Sequence, residues 1–521
     1  MSEKSFVLRR LILHSPNFLN GIDLSGLYFN MTIKTDIRFP FITGTVGIYD
    51  AAGYNELFPI LGEERLEVEL ETKSQITGKI DVIKKMFRIY EMTPQARNNI
   101  TVGSAYNLHF ISYEFFINQR TKIFDSFLNR EDGSGDFRLP LSSISEIIYT
   151  KHIKNKMIEL FPGFEKDILV ERTLRNYNIM FPNMNPFRAI LLCANRALSF
   201  DRLNNKGATY LFYEDFDNFH FKSLESMFTE DIIGEYNYLP SNVSDFSQDP
   251  KFMIENYQVN SSFNVRDNLT AGMYSSKLIT YDFELMKIKE YDFEYVPQSD
   301  FVSEQVIQDG QRVNVLKRNV RDPESDLILD KSKAIQPLGK LCTGSNDNLN
   351  NPNSVVHLVS SNANHDILFD KNEQQQGGYK EKGIEPKQIE EYFLQRRSQL
   401  QQLENIKVSV TLKESNVDIR LGNMLIFNLP SETYQQQNEK TPPSSHFYYG
   451  GKYIVTKVQY DLRKQSDQLV TTLQLSKNSI DHPMPDFDPS VLDNKDVFNT
   501  GIDTPENFVA SQGQYGQGQY E

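Results

Sequence analysis

The sequence predicts a mainly β protein in which two small β-barrel units flank an α+β middle segment. Three observations carry that reading. Tyr and Phe are plentiful, Trp is absent, and short alternating runs recur along the chain, the composition of pleated, half-buried strands. The stretch Thr43 to Thr72, TGTVGIYDAAGYNELFPILGEERLEVELET, holds a strand, a small-residue turn and a second strand of unbroken alternation. At Tyr113 the pattern changes, and helical spacings replace alternating ones.

In the first unit, Phe6 to Leu13 and Leu27 to Ile33 read as strands, the latter with Leu27, Phe29, Met31 and Ile33 on one face. The strand Gly44 to Tyr49 follows, then a turn around Ala51 to Leu57. In the next strand Leu66, Val68 and Leu70 point one way and Arg65, Glu67, Glu69 and Glu71 the other, so one face is core and the other wet. MFRIYEM at Met86 to Met92, stopped by Pro94, and SAYNLHFIS at Ser104 to Ser112 complete about six strands, the count of a small barrel.

Beyond Tyr113, a helix is expected to Leu128. Ser143 and Glu146 form a capping box for a second helix, and Asn185 with Pro186 starts a third, FRAILLCANRAL. The third is apolar around so much of its circumference that it should be buried, with Cys193 a small core residue rather than a nucleophile. TYLFY at Thr209 and FHFKSL at Phe219 make a hairpin around Glu214 to Asn218. Strands resume at Ser276 to Leu285 and Lys287 to Tyr295, then a polar, loop-rich insertion runs from about 302 to 375 with a short strand at Val355 to Val359. Gln374 to Gly383 reads as a linker. Pro386 to Leu403 reads as an amphipathic helix with Ile389, Phe393, Leu400 and Leu403 inside and Arg396, Arg397 and Gln401 outside.

A second β-unit follows: Ile406 to Leu412, Val417 to Leu421, Met424 to Leu429, Tyr453 to Tyr460 and Leu469 to Leu475. It echoes the first. Gly62 precedes Leu66 to Leu70 as Gly422 precedes Met424 to Leu429; Phe87-Arg88-Ile89-Tyr90 matches Tyr453-Ile454-Val455-Thr456; LHFIS ending at Ser112 matches TLQLS ending at Ser476. An offset held near 360 residues marks a duplicated unit. Three copies of such a chain would supply six similar units for one pseudo-sixfold ring.

The bounds agree. At 521 residues the chain has room for three or four domains, and no apolar run approaches the roughly 20 residues of a spanning helix. The first residues carry no signal-peptide pattern, and two cysteines, Cys193 and Cys342, make no disulfide framework, which fits assembly in a reducing cytoplasm. A net charge of −14 disfavours gripping phosphates but suits a channel through which nucleic acid slides. The Asp-, Gly- and Gln-rich tail, 481–521, is expected to be flexible.

Little speaks for catalysis, and no metal or cofactor is expected. The eight histidines form no HxH or HxxxH spacing, no CxxC occurs, and GSGD at Gly133 to Asp136 lacks the residues of a phosphate loop. Glu214, Asp215 and Asp217 sit where a hairpin turn is expected, and acids are ordinary turn residues. Glu214 with Asp217 is the least bad acid pair for a hydrolase. Exposed Tyr and Phe would serve a carbohydrate- or receptor-binding alternative.

Several segments resemble the central baseplate hub of T-even-type contractile bacteriophage tails, a family related to the base of type VI secretion spikes. They are GTVGIYDAAGYNELFPILGEERLEVEL, NPFRAILLCANRALS, TYLFYEDFDNFHFKSLESMF, GMYSSKLITYDF, LGNMLIFNLP, GKYIVTKVQY and LQLSKNSI, in order from Gly44 to Ile480. The resemblance implies two tail-tube-like barrels around an α/β domain and assembly as a homotrimer in the virion tail baseplate. The tail tube or its initiator would dock above, a trimeric spike below and wedge proteins around, with DNA passing through. It further implies a discontinuous second barrel. The domains expected are 1–112 (first barrel), 113–200 with 236–385 (middle), and 201–235 with 386–480 (second barrel, hairpin included). The wet row Glu67, Glu69 and Glu71 is the candidate lumen or ring-contact face.

Overall fold

A computed structural model of the chain describes residues 6–477 apart from internal breaks, the longer ones at 95–103, 125–138, 201–208, 239–248, 319–354, 361–388 and 431–445. The linker at Gln374 to Gly383, most of the polar insertion, the GSGD loop, Cys342 and the tail from Asp481 lie outside the described residues.

The first unit contains β1 (Phe6–His14), β2 (Ile22–Asp23), β3 (Tyr28–Asp36), β4 (Thr43–Asp50), a short helix α1 (Tyr54–Leu57), β5 (Arg65–Lys73), β6 (Ile80–Pro94) and β7 (Ser104–Ser112). Its six long strands lie side by side in the order β1-β5-β6-β7-β4-β3, all antiparallel, with β2 on the outer edge of β1. Leu66, Val68, Leu70, Phe87, Ile89, Leu108 and Phe110 are buried together, as the alternation requires. Gly44 lets two strands approach: a Cβ there would lie 2.3 Å from Phe110 Cζ and 2.4 Å from the Thr32 carbonyl oxygen.

The middle segment opens with α2 (Tyr113–Arg120), which stops well short of the expected Leu128. After β8 (Leu139–Pro140) comes α3 (Leu141–Tyr149), starting two residues before the expected capping box. Pro140 is its N-cap, and the Ser142 N–H is satisfied instead by Thr173 Oγ1 at 2.9 Å, so Ser143 falls inside the helix. A π-turn (Thr150–Lys154) leads into α4 (Asn155–Leu160), then β9 (Ile168–Val170), β10 (Asn176–Tyr177) and α5 (Pro186–Ala194). Asn185 and Pro186 start α5 as expected, but the capping oxygen is borrowed: Phe187 N–H donates to Asn118 Oδ1 on α2 at 2.8 Å. Cys193 is fully buried, and desolvation pushes its thiol up to about 12, an inert core group.

The hairpin β11 (Tyr210–Glu214) and β12 (Phe219–Ser223) forms where expected, followed by α6 (Leu224–Phe228). Its partner is not as expected. It pairs with β9 in a three-stranded sheet and not with the second barrel. One of its faces (Tyr210, Phe212, Phe219, Phe221) packs in the core of the middle helices, while Leu211, Tyr213 and Phe216 join the core of the β-units.

The strands the second unit takes from this part of the chain are β13 (Ile232–Tyr238) and β14 (Met253–Ser261). After α7 (Val265–Thr270), β15 (Ser275–Asp282) pairs with β16 (Lys287–Glu294). A hairpin, β17 (Phe301–Gln308) and β18 (Gln311–Arg318), opens the stretch that composition assigns to loop. The alternation of VSEQVIQ and RVNVLK around an Asp-Gly pair is the signal for it. β19 (Val355–Ser360) lies parallel to β15. α8 (Ile389–Gln402) packs Leu400 and the following Leu403 against the core and leaves Arg397 outside, as expected, with Leu394 and Ser398 buried as well; Arg396, read as wet, is instead held inside by donating to the Tyr210 carbonyl at 2.8 Å. Burial lowers its guanidinium to about 10.

Last come β20 (Ile406–Leu412), β21 (Met424–Asn428), β22 (Gly451–Arg463) and β23 (Gln468–Lys477). With β13 and β14 they close into a six-stranded barrel, β13-β21-β22-β23-β20-β14 and back to β13. The protein is mainly β, with one closed barrel and a second six-stranded unit beside it.

Candidate functional site

The two units share one strand plan. Numbered by chain order within each unit, both run 1-4-5-6-3-2 across the sheet, and strands two to six keep the same directions. The first strands differ, β1 being antiparallel to β5 while β13 is parallel to β21.

Two β-bulges fall at equivalent places. Between β6 and β7 the register slips at Tyr90, just past Ile89 opposite Phe110; between β22 and β23 it slips at Thr456, just past Val455 opposite Leu475. Between β3 and β4 it slips at Phe29, and between β14 and β20 at Glu255. Bulges re-aim a strand and are specific features of a fold. They uphold the match of Phe87-Arg88-Ile89-Tyr90 with Tyr453-Ile454-Val455-Thr456 and move the closing strand by one residue, so that Ser112 answers to Lys477 rather than Ser476.

The units are joined edge to edge. One edge of β22 is taken by β23; the other is shared, β21 holding Gly451 to Ile454 and β3 holding Lys457 to Arg463. In this seam Lys457 faces Asp36, Tyr460 faces Ile33 and Arg463 faces Asn30. Lys457 Nζ meets Asp36 Oδ2 at 2.9 Å, Thr32 Oγ1 donates to Asp461 Oδ1 at 2.7 Å, and the Ile37 N–H donates to the Thr456 carbonyl at 3.0 Å. Met31, Ile33, Tyr460 and Leu462 are buried beneath, so the seam has backbone pairing, an ion pair and an apolar floor.

The row Glu67, Glu69, Glu71 is less wet than alternation alone implies. Glu67 is only 7% exposed. Its carboxylate meets His14 Nε2 at 2.9 Å and Lys84 Nζ at 3.0 Å; Glu69 pairs with Arg10 at 3.7 Å and Glu71 with Arg9. Burial alone would raise the Glu67 carboxyl, but the hydrogen bonds from His14 and Lys84 outweigh it and hold it below its ordinary value. The row is therefore a charge-paired ladder across β1, β5 and β6.

A buried charge cluster ties the first unit to the middle segment. Lys166 is enclosed by Glu214 of β11, to which it donates, and by Glu114 of α2 at 3.6 Å. Glu214 Oε2 also accepts from Ser112 Oγ at 2.6 Å and from the Ile42 N–H at 2.9 Å. Desolvation, opposed by Lys166 and reinforced by Glu114, pushes the Glu214 carboxyl up to about 7. Sequence gives no warning of this cluster, since Lys166 stands in a polar run, GFEKD, that reads as loop.

Glu214 is thus a structural acid sealed from solvent, while Asp217 is exposed and paired with Arg420 at 3.2 Å. The two do not share an environment in which a substrate bond could sit between them. Asp215 caps its own turn, accepting from the Asp217 and Asn218 N–H groups at 2.8 Å each and meeting His220 Nε2 at 2.6 Å. Burial raises its carboxyl, but His220 and those N–H groups prevail and bring it to about 2. A depressed folded value contributes stability above the ordinary carboxylate range that is lost as pH falls from about 4 to about 2. Acid titration followed by circular dichroism should therefore show an unfolding limb in that window that is flattened in Asp215→Asn.

Among the described residues no group of three or more His, Cys, Asp or Glu could hold a metal ion, and no helix is long and apolar enough to cross a membrane.

No family model matches the chain, and no curated protein does. Solved structures similar to it include a tail protein from Neisseria meningitidis, at 9% identity and TM-score 0.42 over 91% of this chain and 97% of that one. Another is the 43 kDa tail protein of prophage MuSo2 from Shewanella oneidensis, at 7% and 0.43 over 91% and 99%. A third is an E. coli component of the type VI secretion system, at 8% and 0.35 over 90% and 79%, described as structurally similar to T4 bacteriophage tail proteins.

Proposed function

We propose that this chain is a structural, non-enzymatic hub of a contractile tail. Three copies form a ring of six similar β-units that joins a threefold spike to a sixfold tail tube and leaves a passage for DNA. The observation that carries the reading is the β3–β22 seam, which sets two units of the same strand plan side by side within one chain. A threefold assembly of such pairs presents six units in near-equivalent positions. The segments that resemble the baseplate hub family support the same role, with the spike below, the tube or its initiator above and wedge proteins around, in the virion tail baseplate.

The row Glu67, Glu69 and Glu71 is the face assigned to the lumen or to ring contact. Its pairing with Arg9, Arg10 and Lys84 leaves little net charge, a wall that neither grips nor strongly repels phosphates. Mass photometry of the protein with its spike should give three copies of this chain per complex. Complexes holding one copy would overturn the reading.

A further inference from the structure

At the end of the first unit where β7 stops, aromatic rings form a continuous row. Phe39 and Phe41, between β3 and β4, have ring centroids 5.6 Å apart. Phe41 meets Phe115 of α2 at 5.1 Å, and Phe115 meets Phe116 at 5.9 Å. The row then passes through guanidinium groups. Arg88 of β6 lies 5.1 Å from the Phe116 ring and 6.0 Å from that of Tyr113. Tyr113 meets Phe161 at 5.0 Å, and Arg65 of β5 lies 5.7 Å from the Phe161 ring. Phe39 is half exposed, and none of the other five rings is fully buried.

The two arginines carry unanswered charge. Among the described residues neither has a carboxylate partner. Arg88 Nη2 donates to the Gly62 carbonyl at 3.2 Å, while its Nε is buried without an acceptor. Glu114, the one acid of α2, is turned inward to Lys166. In a chain of net charge −14, such a face is complementary to an acidic partner. Protein interfaces concentrate Arg, Tyr and Phe in this way. The rings meet at 65° for Phe41 with Phe115, 87° for Tyr113 with Phe161 and 88° for Phe115 with Phe116. They offer a ridge of edges to a polypeptide rather than a flat platform for sugars.

The chain contains a segment of matching chemistry. In 481–521 acids stand beside phenylalanine three times, as Asp486-Phe487-Asp488, Asp496-Val497-Phe498 and Glu506-Asn507-Phe508, and Lys495 is its only Lys or Arg. The segment begins shortly past Lys477, which answers to Ser112, so it starts from the same end of its unit as the row occupies on the other. We infer that 481–521 of one copy docks on the aromatic–arginine row of the next copy, carboxylates to Arg65 and Arg88 and phenylalanines to the rings. Strand order selects the neighbouring copy. Arg88 and Arg65 lie on β6 and β5, on the side of the first unit away from the seam at β3, and β23 lies on the side of β22 away from that seam. The proposal rests on the ring reading above and adds a strap across each junction between copies.

The test is Gln119→p-benzoylphenylalanine in the full chain, in complex with its spike. Gln119 is exposed on α2 one turn past Phe116, so the photo-reactive group leaves the row in place. Irradiation should join copies into covalent dimers and trimers on a denaturing gel, with mass spectrometry placing the bond in 481–521. Phe487→Ser, Phe498→Ser and Phe508→Ser together should lower the yield about tenfold or more, since aromatic anchors dominate such contacts. Cross-links that stay inside one chain, fall outside 481–521 or survive the triple change would overturn the docking and leave the ring standing. No cross-link in a complex of three copies would do the same. One copy per complex by mass photometry would remove the ring reading and the strap with it.

Discussion

Lys166→Met is expected to destabilise the protein by about 3–5 kcal/mol at pH 8, because removing one partner leaves buried charge uncompensated. Lys166 is the only cation hydrogen-bonded to Glu214 in the described cluster, and Glu114 lies 3.6 Å from the same ammonium. The penalty should depend on pH in a defined direction. The folded Glu214 carboxyl already lies above its ordinary value, at about 7. Its contribution to stability is thus fully present below the unfolded value and lost as pH rises through the folded one. Without Lys166 the Glu214 carboxyl is pushed higher still, so the loss should be smaller at pH 5, where it accepts a proton. Urea midpoints of wild type and variant at the two pH values check this; equal penalties would show that lost packing, not charge, is responsible. Lys166→Met with Glu214→Leu should recover much of the stability.

Gly44→Val should cost about 3 kcal/mol, the upper part of the usual range for overpacking. The new Cβ would meet both the Phe110 ring and the Thr32 carbonyl. Phe110 is buried against Phe87, with ring centroids 4.8 Å apart, and the Thr32 oxygen belongs to the backbone of β3. Neither can step aside without disturbing the strand that forms the seam. Phe110→Leu in the same chain should recover only part of the loss, since the carbonyl remains. Thermal unfolding of the single and double variants measures both effects, and full recovery would place the whole conflict in the ring.

Much of the β architecture was legible because its strands are half-buried. Leu66, Val68 and Leu70 alternate with charged residues, and both closing strands keep the same period, so faces could be read directly and the offset to within one residue. The match of Phe87-Arg88-Ile89-Tyr90 with Tyr453-Ile454-Val455-Thr456 needed no shift. Membership of β13 and β14 in the barrel was not legible. IIGEYNY has no clean alternation, and its parallel pairing with β21 depends on residues nearly two hundred positions away. The aromatic hairpin at Thr209 was placed in the second barrel only by the resemblance; both its faces are apolar because it serves two cores at once. The glutamate row shows a further limit: Arg9, Arg10, His14 and Lys84 come from flanking strands, and only the register brings them to it. The Lys166 cluster draws on four separate segments, and none of them carries a local pattern that announces a buried charge.

The seam also sets an order of events during synthesis. β3 is made early, but the stretch of β22 that covers its outer edge emerges about 420 residues later. At about 5–20 residues per second, that edge waits roughly 20–80 s on the ribosome. Throughout that interval a finished first unit displays the strand edge that its own C-terminal part will later occupy, while neighbouring nascent chains on the same message display the same edge. The β22–β23 hairpin therefore acts as a delayed cover, and premature termination before Lys457 would release a product whose exposed β3 invites aggregation.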